Sequence, residues 1–423
     1  MTTPVRVAIA GLGVVGGGVA NLLAKNAATI TKRTGGRSVE VVAFASGNSR
    51  SESQLREDFG EALHGSQFFS DSVAMAQSRS ADVVVEAIGG DDVALKVSVE
   101  ALKNGANLVT ANKAMLAVHG ETIANLAESS SKNIGWEAAV GGGIPCIRSL
   151  KDGMAADQLE YAAGILNGTC NFILTTMKET GRQFEDVLDE AMRKGYAETP
   201  PDLDVDGIDT AHKLSLVAAL CTGCKPNFGA VHIEGIRRVA GSDVMLAEKL
   251  GFAIKLLGVV SKGSDGTVLQ RVHPSLVPLN TSIGSTHGVL NCLFSVGKFA
   301  GPIFTQGPGA GRNATAAAIC SDLVEIARGN STPTFGIPFE DLGEMKTATM
   351  LDARVGKYFV RCEEHNAEMV KQTLVKNSIG ILDSETAKGY TGLIVEDTQE
   401  SRILNEFRDG HANVGILRVE GPW

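Results

Sequence analysis

An apolar run, Val5–Ala10, breaks at Gly11 and resumes at helical spacing through Val14, Val15, Val19, Leu22 and Leu23. That change of period predicts a buried strand turning directly into a helix. The runs VEVVAFAS (39–46) and ADVVVEAIGG (81–90) read as further buried strands, VALKVSVEALKNG (93–105) as an amphipathic helix stopped by glycine, and ANLVTAN (106–112) as another strand. Strands alternating with helices need crossover connections, so residues 1–138 are expected to form a doubly wound, parallel α/β domain.

From 139 to 305 the pattern becomes α+β. Helices are expected over 184–195 and 244–260, with extended segments at 158–166, 231–236 and 267–274. QGPGAGRNATAAAICSDLVEIARGN (306–330) gives a glycine-rich turn and a long helix, and 306–340 is expected to complete the first domain. Past the linker STPTFGIP, residues 350–423 read strand, helix, strand, strand, helix, strand, which is a ferredoxin-like plan.

Composition narrows the function classes. A net charge of −9 disfavours nucleic acid as a partner, since phosphate binding needs a basic face. No apolar run approaches the roughly 20 residues that span a bilayer, and MTTPVRVAIAGLG enters a strand without a signal-peptide pattern. The seven cysteines are scattered, and the C-x-x-C of Cys221 and Cys224 sits in an apolar helical run with no second pair to complete four zinc ligands. Reduced structural thiols and a cytoplasmic location are the expectation.

Gly11, Gly13 and Gly16 form G-x-G-x-x-G at the strand–helix junction, where glycines let backbone N–H groups approach a pyrophosphate. The tip of the second strand, Phe44 to Arg50, lacks the carboxylate that usually holds the ribose hydroxyls. Ser46, Ser49 and Arg50 could hold a 2′-phosphate there, which tilts the expectation from NAD toward NADP.

GYAETPPDLDVDGIDTAHKL (195–214) crowds Glu198, Asp202, Asp204, Asp206 and Asp209 ahead of Lys213. DLDVDG imitates the start of a calcium loop, but the position that needs a bidentate glutamate is Lys213, which excludes calcium. A helix opening near Asp209 would put Asp209 and Lys213 at i, i+4 on one face. Such a pair is often only a surface salt bridge. Beside a dinucleotide fold and further acids, it can instead hold a substrate ammonium while the lysine moves a proton. Lys113, in VTANKAML at the sheet's ligand-binding edge, is the candidate second cation. EAAVGGGIPCIRS (137–149) offers Glu137 and bent backbone carbonyls to a small hard cation. GILNGTCNFIL (164–174) offers Asn and Thr side chains around a turn.

Together these pieces resemble homoserine dehydrogenase over residues 5–330. Ala191, Gly195, Tyr196, Glu198, Pro201, Asp204, Gly207, Asp209 and Lys213 stand at the spacing of that family's signature, with Pro200 a departure before the proline. GLGVVGGGV, TANKAML, EAAVGGGIP, GILNGTCNFIL and GPGAGRNATAA match its other hallmarks. The resemblance implies NAD(P)-dependent interconversion of L-homoserine and L-aspartate 4-semialdehyde, in the synthesis of threonine, methionine and isoleucine. It implies Lys213 as proton carrier with Lys113 assisting, and Glu198, Asp204 and Asp209 as substrate-side carboxylates. Leu12, Val14, Val15, Gly89, Lys113, Gly195 and Gly311 would line the cofactor. A sodium-type ion would sit on Glu137 and the backbone of Val140, Gly142 and Ile144, and members are dimers or tetramers. Residues 350–423 resemble an ACT domain, a seat of amino-acid effectors, although Glu363-Glu364-His365-Asn366 replaces the usual Pro-Gly turn. An amino-acid dehydrogenase acting at the amine carbon and a non-catalytic NAD(P) sensor are the rival readings.

Overall fold

The computed structural model describes residues 3–47, 50–408 and 414–421. Two compact units emerge. One is built from Met1–Gln158, Ser215–Phe228 and Gly307–Glu344, the other from Leu159–Leu214, Gly229–Gln306 and Met345–Trp423.

The first unit holds a six-stranded parallel sheet: β1 (Val5–Ala10), β2 (Val39–Ala45), β3 (Gln67–Phe69), β4 (Val83–Glu86), β5 (Asn107–Thr110) and β6 (Ile134–Gly135). Its order, β3-β2-β1-β4-β5-β6, is that of a doubly wound dinucleotide-binding sheet. Both faces are covered, so alternation is hidden inside apolar runs. Val7, Ile9, Val83 and Val85 pack with the Val14–Lys25 and Arg312–Arg328 helices. Ala8, Ala10, Ala43 and Val84 face the other way, toward Val97 and Ala101 of the Asp92–Lys103 helix. The β4 strand is shorter than its apolar run, because Gly89 and Gly90 turn the chain at φ of 81° and 71°.

The second unit holds β7 (Leu159–Ile165), β8 (His232–Ile233), β9 (Phe252–Lys262), β10 (Val268–Pro278), β11 (Leu290–Gly297), β12 (Gly301–Pro308), β13 (Val355–Glu363), β14 (Ile381–Ala387), β15 (Tyr390–Gln399) and β16 (Gly415–Val419). They join in one sheet, β12-β11-β7-β9-β10-β16-β13-β15-β14, with β8 also paired to β10. The last four strands, with helices Ala367–Lys376 and Glu400–Arg408, follow the βαββαβ order read from the sequence and enclose their own core around Tyr358, Val360, Leu393 and Ile403. This region is hydrogen-bonded into the rest of the unit, since β16 runs parallel to β10 with Ser275 opposite Arg418 and Leu276 opposite Val419.

One expected element is wrong. Residues 244–260 do not form one helix: the Gly241–Lys249 helix ends, Gly251 turns at φ 84°, and β9 begins at Phe252. Six of the first eight residues of β9 are hydrophobic, Lys255 and Gly258 being the exceptions, and all but Phe252 of the eight are buried. A strand covered on both sides loses its period of two and cannot be told from a helix by apolar content alone.

Candidate active site

The glycine turn is shaped by close packing on one side and open space on the other. A Cβ on Gly11 (φ 94°) would stand 2.6 Å from the Ala87 carbonyl oxygen, and one on Gly16 would stand 2.1 Å from that of Gly11. Gly13, at the N-cap of the Val14–Lys25 helix, meets nothing within 4 Å. Tightness at the first and third glycines with clearance at the second is the cradle a pyrophosphate needs. Gly89, Gly195 and Gly311, all at positive φ, likewise have open faces. Val14 is exposed and Val15 half-buried, whereas the Leu12 side chain is buried, so Leu12 offers a ligand only its backbone.

At the tip of β2, Ser46 is buried and its hydroxyl has no hydrogen-bond partner. Arg50 donates to the Leu12 carbonyl at 2.5 Å and pairs with Asp58 at 2.8 Å, which places its guanidinium against the glycine turn. Ser49 lies outside the described residues. A bound dinucleotide fits these groups. Lys113 opens the Lys113–Ser129 helix directly after β5, where the Asn112 side chain caps the Met115 N–H at 3.0 Å.

In the second unit Asp204 and Asp209 gather at Lys213, whereas Asp202 and Asp206 turn away to pair with Arg237. The Ile208–Thr222 helix carries Asp209 and Lys213 on successive turns. The Lys213 Nζ donates to Asp209 Oδ2 and to the Leu166 carbonyl, both at 2.7 Å. Both side chains are largely buried, at 12% and 11% exposure, so this is not a solvated surface pair. Asp204, on the short Asp202–Val205 helix, joins them through Asn167, whose Nδ2 donates to Asp204 Oδ1 at 2.8 Å and to Asp209 Oδ2 at 2.9 Å. Burial pushes the Asp204 carboxyl above its ordinary value against the Asn167 hydrogen bond, and the adjacent Asp209 charge pushes the same way. Glu198 stands at the rim with an exposed side chain, and its backbone N–H points to Asp204 Oδ2 at 3.3 Å.

Two supports have roles that the sequence does not assign, Asn167 within the GILNGTCNFIL turn and Lys255. Asn167 also caps the Gly168–Thr180 helix through the Cys170 N–H at 2.8 Å, so one side chain serves both helix and acids. Beneath that helix lies Lys255, 2% exposed, donating to Asn171 Oδ1 at 2.9 Å and to the Thr286 carbonyl at 2.5 Å. Burial draws its amine down to about 8. An N-cap asparagine was legible in principle from GILNGTC; a lysine inside an apolar strand carries no such signal.

The candidate cation loop also takes definite shape. Both Glu137 carboxylate oxygens accept backbone N–H groups, from Ile147 and Arg148 at 2.9 Å each. Gly141 and Gly142 turn the chain at φ of 76° and 55°, and a Cβ on Gly142 would stand 2.3 Å from the Gly309 carbonyl. Among the described residues no three His, Cys, Asp or Glu side chains gather to hold a metal. An ion here would draw on the one carboxylate of Glu137 and the main-chain oxygens of Val140, Gly142 and Ile144, a set of low charge that suits a monovalent cation.

Comparison with known proteins gives one answer. Residues 11–137 match the family model described as homoserine dehydrogenase, NAD binding domain, and residues 145–324 match that described as homoserine dehydrogenase. A homoserine dehydrogenase of Pseudomonas aeruginosa is 41% identical over 432 aligned positions, covering 99% of this chain and 97% of that protein. One from Helicobacter pylori is 32% identical, covering 97% and 96%. The crystal structure of a homoserine dehydrogenase from Thiobacillus denitrificans superposes with a TM-score of 0.90 at 34% identity, covering 99% and 98%.

Proposed function

The chain belongs to the homoserine dehydrogenase family, whose reaction is the NAD(P)-dependent interconversion of L-homoserine and L-aspartate 4-semialdehyde, and we propose that Lys213 carries the proton of that reaction. What carries this reading is the Lys213 amine, buried between Asp209 and the Leu166 carbonyl. An ammonium held by two acceptors keeps one N–H direction for a third oxygen. In the reducing direction Lys213 donates to the aldehyde oxygen as it becomes the alcohol; in the oxidising direction it takes the hydroxyl proton back. A bound nicotinamide would supply or accept the hydride at the carbon that bears this oxygen. Asp204, Asp209 and the rim carboxylate of Glu198 hold the substrate's ammonium, and Lys113 assists near the cofactor.

The glycine turn at Gly11, Gly13 and Gly16 takes the pyrophosphate. Ser46 and Arg50 take a 2′-phosphate, favouring NADP, since an orphan hydroxyl and a guanidinium stand where a ribose-binding carboxylate is missing. The loop of Glu137, Val140, Gly142 and Ile144 holds a sodium-type ion. The βαββαβ region is an ACT-like domain open to an amino-acid effector, and the enzyme is a homodimer or homotetramer of the cytoplasm. No helix among the described residues is long and apolar enough to cross a membrane.

Lys213→Ala tests the central role. It should fold and bind NAD(P) but lose turnover by about 10²–10⁴-fold, the usual worth of general acid–base catalysis. Normal turnover of homoserine with either cofactor would remove Lys213 from the mechanism.

A further inference from the structure

The helix that carries Asp204, Asp202–Val205, is four residues long with no side-chain cap, so its placement depends on what packs behind it. Residues 234–237 do that. Ile236 N–H donates to the Val205 carbonyl at 2.8 Å. Arg237 Nε donates to Asp206 at 2.5 Å, and its Nη2 pairs with Asp202. Gly235 lies so close that a Cβ there would stand 2.2 Å from the Val205 oxygen and 2.5 Å from the Asp206 Cα.

That segment is itself anchored from the C-terminal region. Glu234 N–H donates to the Val272 carbonyl on β10 at 2.8 Å. The Glu234 carboxylate is gripped at both oxygens by Arg418 of β16, at 2.6 and 2.8 Å. Arg418 is buried, at 6% side-chain exposure, and its Nε donates to Glu400 at 3.0 Å from the other side. Glu400 also accepts from the Tyr358 hydroxyl at 3.2 Å.

We propose that the Arg418–Glu234 pair is a positioning device for the substrate carboxylates, through which the last strand of the βαββαβ region sets the placement of Asp204. This rests on the reading of Asp204 as a substrate-side carboxylate. A two-pronged arginine–carboxylate pair fixes direction as well as distance. Because Gly235 already touches the helix backbone at its packing limit, a shift of Glu234 is passed on to Val205 rather than absorbed. Neither residue touches substrate or cofactor; both act through the segment between them.

The test uses full-length Glu234→Gln, Arg418→Met, Arg418→Lys, their Glu234→Gln/Arg418→Met double and Asp204→Asn, measuring kcat, KM for homoserine, KM for NAD(P) and the melting temperature. Glu234→Gln and Arg418→Met should each raise the homoserine KM about tenfold or more, as misplacement of a binding group does, with the cofactor KM unchanged. The double variant should be no worse than the worse single one, because both remove one linkage. Arg418→Lys should recover little, since an ammonium cannot replace the planar fork. Should Arg418→Met fail to fold, Glu234→Gln carries the test: its side chain is 41% exposed and the substitution keeps its shape. A folded Glu234→Gln with normal homoserine KM, a rise in both KM values alike, or a loss of melting temperature alone overturns the proposal. If Asp204→Asn leaves the homoserine KM unchanged, the reading of Asp204 falls and takes the proposal with it. If Asp204→Asn raises it while the other variants do not, the positioning device alone falls.

Discussion

Residue by residue, the acids of this chain divide according to what surrounds them. Glu137 and Asp322 are buried together in the first unit: Asp322 accepts the Glu137 backbone N–H at 2.9 Å and an Arg148 N–H at 2.8 Å. Burial, reinforced by Asp322, pushes Glu137 from 4.5 to about 7, and burial pushes Asp322 from 3.8 to about 6. Both groups hold a proton in the folded state at pH values where the unfolded chain has released it. The stability they contribute is therefore full at low pH and falls as pH rises from 3.8 to about 6 for Asp322 and from 4.5 to about 7 for Glu137. Denaturation midpoints across that window should decline for the parent protein and flatten in Glu137→Gln; an unchanged slope would place the protons elsewhere. Asp209 and Lys213 were legible as an i, i+4 pair because helix geometry alone brings them together. The bridge from Asn167 was not, because it joins positions 37 and 42 residues apart.

At the level of elements, the same apolar content produced one success and one failure. Val5–Ala10 was recognisable as a strand because Gly11 and the onset of helical spacing fix its end. Phe252–Lys262 lacked such punctuation apart from Gly251, and its length and evenness imitated a helix. The glycine turn lets two substitutions be separated. Gly16→Ala places its Cβ 2.1 Å from a backbone oxygen, so it should lower the melting temperature and abolish cofactor binding together. Gly13→Ala meets no protein atom within 4 Å, so it should melt near the parent while its cofactor KM rises, because the methyl stands where the pyrophosphate would approach. Equal melting losses in both variants would mean that the turn is governed by packing at every glycine.

For the whole molecule, the chain order and the three-dimensional units do not coincide. Periodicity revealed the α/β start and the βαββαβ end, but a single sequence gives no sign that β16 would pair with β10 rather than remain an edge. That pairing buries Arg271, Arg354 and Glu420 as one cluster, with Arg271 and Arg354 at 3.2 and 3.3 Å from the same glutamate oxygen. Cutting the chain after Glu344 would expose this cluster's remainder and the open side of β10. A 1–344 fragment should accordingly aggregate or lack a cooperative melt, measured by light scattering and circular dichroism; a soluble, cooperative fragment would show the end region to be detachable. The thiols offer a way to watch such events. Cys224 alone is partly accessible, and the other six are buried, Cys146, Cys221 and Cys320 in the first unit and Cys170, Cys292 and Cys362 in the second. Alkylation followed by peptide mass analysis thus carries a built-in address: whichever sulfurs react after Cys224 name the half of the protein that opened first.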